Sequence, residues 1–236
     1  MTTIYIDTET GPSRRVDVAA WLATKHFDAD DLEGAAKKAT AALERTSLQA
    51  TLGEIHVISL AIGEGEPVTL ISNGDEGDLM RRFAQEMFDV IDDGHYPFRL
   101  VAYNMPFDRA MIRVRAMAHK VRLPKLVHDI GVKPWESSWR CAMEPLKVDF
   151  KDNVSLVQAC LAFGIPLSYA DGGDIPGSEV GAALARGEIE RVAHHCALDV
   201  RRLREVWRHI CSVDVDPVAV SDAKVEKIAR QLEVKR

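Results

Sequence analysis

The 236-residue sequence predicts an α/β fold built on a mixed sheet. Three observations carry that expectation. A β-branched run opens the chain, two further runs are spaced as a hairpin, and a fourth leads directly into a helix-patterned segment. Taken in order, "TIYID" (3–7) reads as the first strand. Residues 14–50 are Ala-rich with helical spacing and an Asp-rich break at 28–32, so a two-helix insertion over about 17–48 is expected after that strand. "EIHVISLAIG" (54–63) and "PVTLIS" (67–72) are separated only by "EGE", which suits an antiparallel hairpin. "NGDEGDLMRRFAQEMFDVIDD" has an acidic start and an amphipathic period, the pattern of a helix ending near Asp93. "FRLVAYN" (98–104) is a short strand, and "PFDRAMIRVRAMAHK" (106–120) a helix with Pro in its first turn. "HDIGVKPWESSWRCAM" reads as a loop containing at most a short strand. "NVSLVQACLAFGI" follows as a helix, "PLSYADGGDIPGS" as a loop and "SEVGAALARG" as a helix. A long helix over 188–211 and a charged amphipathic helix over about 215–236 complete the pattern. With no internal repeat and no linker, residues 1–236 are expected to form a single domain.

Composition narrows the class. The chain is 47% hydrophobic and 28% charged, enough to bury a sizeable core. No stretch approaches the ~18 consecutive apolar residues of a membrane span, and no basic region followed by an apolar block opens the chain as a secretory signal would. Cys141, Cys160, Cys196 and Cys211 lie far apart with no CxxC pair, which points to reduced thiols in a cytoplasmic protein. The net charge of −6 argues against a protein that coats long nucleic acid through its backbone phosphates. It leaves room for an enzyme that holds a chain end, especially one whose acids carry cations.

Asp7 and Glu9 stand two apart at the end of the first strand and so point the same way, while Thr8 and Thr10 point the other. Two carboxylates this close repel, and a divalent cation such as Mg²⁺ or Mn²⁺ relieves the repulsion. On its own D-x-E equally describes a solvated turn. Asp108 opens a helix, where negative charge is favoured and a capping role would also serve. Asp199 lies inside a long helix, where Asp is a poor helix former; a surface pair with Arg201 or Arg202 is the plain alternative.

Together, the D-x-E on the first strand, N-x-x-F-D after the fourth and His followed by Asp on a late helix resemble the DEDD superfamily of 3′–5′ exonucleases, from Ile4 to about Ile210. The wording is closest to phage-like and polymerase-B-like predicted exonucleases, in "LGEIHVISLAIGEGEPV" and in "IPGSEVGAALARGEIERVAHHCALDVRRLREVW". The resemblance implies an RNase H-like, five-stranded mixed sheet flanked by helices, with the helical insertion after the first strand. It implies that Asp7 bridges two Mg²⁺ or Mn²⁺ ions, that Glu9 holds one of them, and that Asp108 and Asp199 complete the ligand set. The implied activity is hydrolysis of single-stranded DNA or RNA from the 3′ end to nucleoside 5′-monophosphates. Two rival functions remain: a non-catalytic nucleic-acid-binding domain of the same fold, and a phosphodiesterase acting on very short oligonucleotides.

The general base is ambiguous, because one branch of the superfamily places a His five residues before the last Asp and another a Tyr four before it. His194 fits the histidine spacing and is the expected base; His195 is the alternative. A zinc site at "HHC" is unsuitable, since three consecutive helical residues face different ways. The resemblance also makes Thr8, Thr10, Asn104, Met105 and Phe107 candidates to meet the terminal nucleotide, with packing against the sheet an equal role for Phe107. Where many relatives carry Asp-Thr, this chain has Arg140 and Cys141, with Asp129 as a displaced candidate. Trp135 and Trp139 could stack on bases or cap a core. The basic stretches Arg109–Lys125 and Arg201–Arg208 read as solvated helix faces or as a nucleic-acid track.

Overall fold

A computed structural model describes residues 1–92, 97–133, 135–149, 153–167 and 174–214. The expected sheet is present: β1 (Thr2–Gly11), β2 (Glu54–Ile62), β3 (Val68–Ile71), β4 (Phe98–Ala102) and β5 (Trp139–Cys141) lie in the order β3-β2-β1-β4-β5. β1 pairs antiparallel with β2 and parallel with β4, while β2–β3 is antiparallel and β4–β5 parallel, so the sheet is mixed. The insertion forms α1 (Val16–Lys25), α2 (Leu32–Glu44) and a 3-10 turn at Arg45–Leu48. The remaining helices are α3 (Glu76–Asp92), α4 (Met105–Ala118), α5 (Lys125–His128), α6 (Leu156–Phe163), α7 (Val180–Ala185) and α8 (Ile189–Asp214). The four-residue α5 was not expected; it precedes the segment read as a loop and shares only His128 with it. The helix expected over 215–236 lies outside the described residues.

β1 is longer than the five residues expected, so Asp7 is an interior residue rather than the last one and Glu9 also stands inside the strand. Its ladder with β2 runs on to Gly11 opposite Glu54 because a bulge absorbs one residue. Glu9 pairs with Val57 and Thr10 with Ile55, leaving His56 as the extra residue.

The two-residue period of β1 decides what each face meets. Ile4 and Ile6 pack with Ile58, Leu60, Phe83, Met87, Met111 and Ile112 in the layer of α3 and α4. Tyr5 packs on the other face with Val200, Leu203 and Trp207 of α8. Asp7 and Glu9 share the parity of Tyr5 and are therefore directed at α8. Each large apolar side chain buried in these layers contributes about 1.5–3 kcal/mol.

The insertion is tied down at both ends. Thr46 is fully buried and accepts the Ser13 N–H at 2.8 Å, and Arg14 pairs with Glu54 at 2.7 Å. Gly53 packs so tightly under this turn that a Cβ there would sit 2.4 Å from the Thr46 carbonyl oxygen. Any side chain at 53 would push the insertion away from β2.

A buried polar cluster joins α3, α4 and β2. The Glu76 carboxylate accepts the Ile55 N–H at 2.7 Å, Nε and Nη2 of Arg115 at 2.9 and 2.6 Å, and His119 Nε2 stands 2.7 Å from it. Burial pushes the Glu76 carboxyl up, but Arg115, the Ile55 N–H and His119 outweigh it and hold it below its ordinary value of 4.5. Glu76 therefore adds stability above that ordinary value, and the contribution is lost as the pH falls through the lowered one. Glu76→Gln is expected to cost about 3 kcal/mol near pH 7, because it strands the buried Arg115 charge. Denaturant unfolding across acidic to neutral pH checks both effects: the variant should lack the part of the acid decline that Glu76 contributes in the parent.

Candidate functional site

Four carboxylates converge where the C-terminal half of β1 meets both helical layers. Asp7 and Glu9 come from β1, Asp108 from the first turn of α4, and Asp199 from the middle of α8. Asp108 belongs to the opposite layer from Asp199, and Thr8 connects it to the strand: the Thr8 hydroxyl donates to Asp108 Oδ1 at 2.7 Å. Both partners are buried. Thr10 donates its hydroxyl to the Ser47 carbonyl at 2.8 Å, linking β1 to the insertion. The two threonines thus spend their hydroxyls within the protein, although both line the cleft beside Glu9.

Burial dominates the electrostatics. It pushes the Asp7 carboxyl well above its ordinary value of 3.8, and the charges of Asp108 and Asp199 add to the rise. Glu9 is raised well above 4.5 by burial and by Asp7, Asp199 and Asp108. Asp108 is pushed up to about 7 by burial, against the opposing hydrogen bond from Thr8. Such a site favours bound protons unless a cation replaces them.

The donor set fits a hard divalent ion. Carboxylate oxygens of Asp7 and Glu9 and the Cys196 sulfur lie within 4.8 Å of one another. The thiol is an unsuitable ligand, since burial together with Asp7 and Glu9 pushes its pKa well above 9.0 and keeps it protonated. It donates instead to the Asp7 carbonyl at 3.4 Å. The oxygens that remain suit Mg²⁺ or Mn²⁺ rather than a thiophilic metal.

α8 contributes a second set of groups on one face. His195 is buried, with Nε2 3.5 Å from Glu9 Oε1 and 3.6 Å from Asp199 Oδ2. The four-residue spacing stacks His195 over Asp199, whereas His194, expected as the base, leaves the helix about 100° away from it. Asp174 completes the arrangement. Its Oδ1 lies 2.8 Å from His195 Nδ1, its other oxygen accepts from Arg202 Nη2, and Arg202 Nη1 donates to Asp199 Oδ1 at 2.7 Å. Asp174 thereby links His195 to Arg202, and Arg202 links Asp174 to Asp199. Burial pushes Asp174 up, but Arg202 and His195 outweigh it and hold the carboxyl below 3.8. Asp199 is thus both the partner of Arg202 and a member of the acidic site; the two roles weighed for it coexist. Asp174 was missed in the sequence, where "DGGD" offers no signal beyond an acid in a Gly-rich loop.

Other candidates fall into place around this centre. Asn104 is the exposed residue preceding α4, and its carbonyl accepts the Phe107 N–H at 2.9 Å. Met105 and Phe107 pack against the core, and Phe107 also lines the cleft beside Thr8 and Glu9, a space of about 420 Å³. A second hollow of about 440 Å³ borders Asp174, His195 and Asp199. Asp129 is 2% exposed and takes part in a separate cluster, accepting the Ser137 hydroxyl at 2.6 Å and pairing with Arg109 at 3.2 Å. Trp139 is buried with its indole N–H on the Val127 carbonyl, while Trp135 is exposed. The arginines of α4 and α8 are largely committed. Arg115 holds Glu76, Arg201 holds Glu66, Arg204 donates to the Gly65 carbonyl, and Arg208 pairs with Glu64 and Glu205.

The raised acids have a consequence for stability. A carboxyl whose folded value lies above its unfolded one stabilises the protein below the unfolded value and loses that contribution as the pH rises through the folded one. Metal-free protein is therefore expected to lose stability between about pH 4 and pH 8. Asp108→Asn should raise its unfolding free energy at pH 8 by about 2 kcal/mol while changing it little near pH 4. Mn²⁺ should stabilise the parent more than this variant. Thermal melts with EDTA or Mn²⁺ at the two pH values test the three statements together.

Residues 45–215 match the family described as predicted 3′–5′ exonucleases related to the exonuclease domain of PolB. No curated protein matches the sequence. Among solved structures, the family B DNA polymerase from the hyperthermophilic archaeon Pyrobaculum calidifontis is similar in fold, with a TM-score of 0.56 and 15% identity over 86% of this chain. The match spans 23% of that polymerase's length. The matched family segment includes Asp108, His195 and Asp199, and covers more than half of the chain. By that match, the chain belongs to the family of predicted 3′–5′ exonucleases related to the PolB exonuclease domain.

Proposed function

We propose that this protein is a divalent-metal-dependent 3′–5′ exonuclease that removes nucleoside 5′-monophosphates from single-stranded DNA or RNA. The observation that carries the reading is His195 standing over Glu9 and Asp199 at the edge of a four-carboxylate cluster. Asp7, Glu9, Asp108 and Asp199 would hold two Mg²⁺ or Mn²⁺ ions, which when bound supply Lewis-acid stabilisation of the phosphate charge and of the leaving 3′-oxygen.

The residues of the chain have separate tasks in this scheme. His195 is the general base, in place of the His194 that spacing favoured. With Asp174 ionised and bonded to Nδ1, the imidazole proton sits on that nitrogen, and Nε2 is left to take a proton from the attacking water. Arg202 restrains Asp174 and Asp199 together and helps hold the Asp174 carboxyl below its ordinary value. Thr8 orients Asp108. Phe107, beside Thr8 and Glu9 in the cleft, is positioned to meet the terminal base or sugar. The full set of carboxylates favours catalysis over a non-catalytic binding role, and a length series of oligonucleotides distinguishes a strand exonuclease from a phosphodiesterase limited to short fragments.

Degradation of 5′-labelled single-stranded DNA and RNA with Mg²⁺ or Mn²⁺, against an EDTA control, tests the activity. Asp7→Ala and Asp199→Ala are expected to abolish it; activity surviving in either would sink the mechanism. His195→Ala should lower kcat by ~10²-fold or more, and His194→Ala by much less. Asp174→Asn acts through the orientation of His195, so kcat should fall about 10–100-fold with KM nearly unchanged. The same change should shift the acid limb of the kcat–pH profile, an effect that mere loss of stability would not produce.

A further inference from the structure

The insertion carries a cationic groove that the carboxylate chemistry does not use. α1, α2 and the following turn enclose a hollow of about 440 Å³ lined by Trp21, Lys25, His26, Lys38, Arg45 and Gln49, with Ala and Leu side chains as its floor. No carboxylate lines it. In a chain of net charge −6, this concentration of positive charge stands out against the surroundings. Lys25, Lys38 and Arg45 are exposed and form no salt bridge among the described residues, whereas neighbouring Lys37 is paired with Glu33 at 2.6 Å. The arginines of α4 and α8 nearest the carboxylates are, by contrast, bonded to acids or carbonyls.

Two further features identify the kind of occupant. Trp21 is 51% exposed, with Lys25 Nζ 5.1 Å from its ring centre, so a flat hydrophobic face lies among the cations. Arg45 lines both this groove and the cleft that contains Thr8, Glu9 and Phe107, making the two spaces neighbours. Cations that track a backbone, interrupted by an aromatic platform, are the elements by which proteins hold single strands without reading sequence.

We propose that the groove binds the body of a single-stranded nucleic acid whose 3′ end lies at the carboxylates, with Lys25, Lys38 and Arg45 on phosphates and Trp21 beneath a base. The placement of the 3′ end rests on the exonuclease reading; the binding of a strand in the groove is tested without it. The groove then acts as a grip on the strand behind the cleavage point, its cations gathered on one wall of an insertion that carries its acids elsewhere.

Binding is measured by fluorescence anisotropy with end-labelled oligothymidylate and oligouridylate of about twenty nucleotides, in EDTA so that nothing is cleaved, over a series of salt concentrations. Lys25→Ala/Lys38→Ala should raise Kd about tenfold or more and reduce the slope of log K against log salt by about 1.4, the value for two phosphates released. Trp21→Ala should weaken binding about tenfold with the slope unchanged, and Trp21→Phe should restore most of it. Melting curves that match the parent exclude misfolding, since all three side chains are exposed. A parent protein that binds neither oligomer, or folded variants that keep its affinity and slope, overturns the proposal. Degradation assays judge the exonuclease reading independently: unchanged binding in the variants with hydrolysis present removes the groove alone. Groove-dependent binding with no hydrolysis under Mg²⁺ or Mn²⁺ removes the catalytic reading alone.

Discussion

The architecture turns on one electrostatic constraint: Asp7, Glu9 and Asp108 are held together in a place where burial and mutual repulsion oppose their ionisation. They stay together because each is fixed by something stronger than the repulsion. β1 lies in the middle of the sheet, and across Asp7 and Glu9 its ladder with β2 is unbroken, so the two acids cannot move apart without breaking that ladder. Asp108 is fastened across the strand by Thr8, and the Cys196 thiol donates to the carbonyl of Asp7. The stored repulsion amounts to a demand for positive charge, which a divalent cation meets with better geometry than protons do.

Around that centre the protein distributes its own positive charge sparingly. Arg202 is the cation nearest the site, and it is committed to Asp174 and Asp199 rather than to the strained trio. This has a chemical consequence. Asp174 stays ionised and orients His195, while Asp7, Glu9 and Asp108 keep their demand for a cation. The same economy extends to the surface. Most arginines of α4 and α8 join helices to loops or to β-hairpin carbonyls, and the cations left without carboxylate partners around a groove belong to the insertion.

Much of the site was legible from local rules. The two-residue period of a strand aligned Asp7 with Glu9, the preference of helix starts for negative charge drew attention to Asp108, and an acid in mid-helix marked Asp199. The hairpin, the central strand and the insertion were likewise visible, because β-branched runs and Ala-rich helical spacing are local signals. The length of β1 was not, since the ladder continues only by virtue of the bulge at His56, which is a property of the pairing with β2. Arg115 and Glu76, 39 residues apart, gave no hint of the buried pair they form. Asp174 was equally silent, because its partners His195 and Arg202 lie 21 and 28 residues further along the chain.

The sequence alone identifies which groups exist for chemistry: paired acids on a strand, two more on helices, and adjacent histidines before the last. It could do so because spacing along one element is set by that element's own geometry. How those groups meet one another follows from contacts between elements far apart in the chain. Which of two neighbouring histidines meets Glu9 depends on the rotation of α8 about its axis, and that rotation is set by the burial of Val200, Leu203 and Trp207 against the sheet. Whether a carboxyl is strained or satisfied depends in the same way on what another layer brings to it. Asp108 and Asp174 carry the same side chain, yet burial raises the first to about 7, while Arg202 and His195 hold the second below its ordinary value.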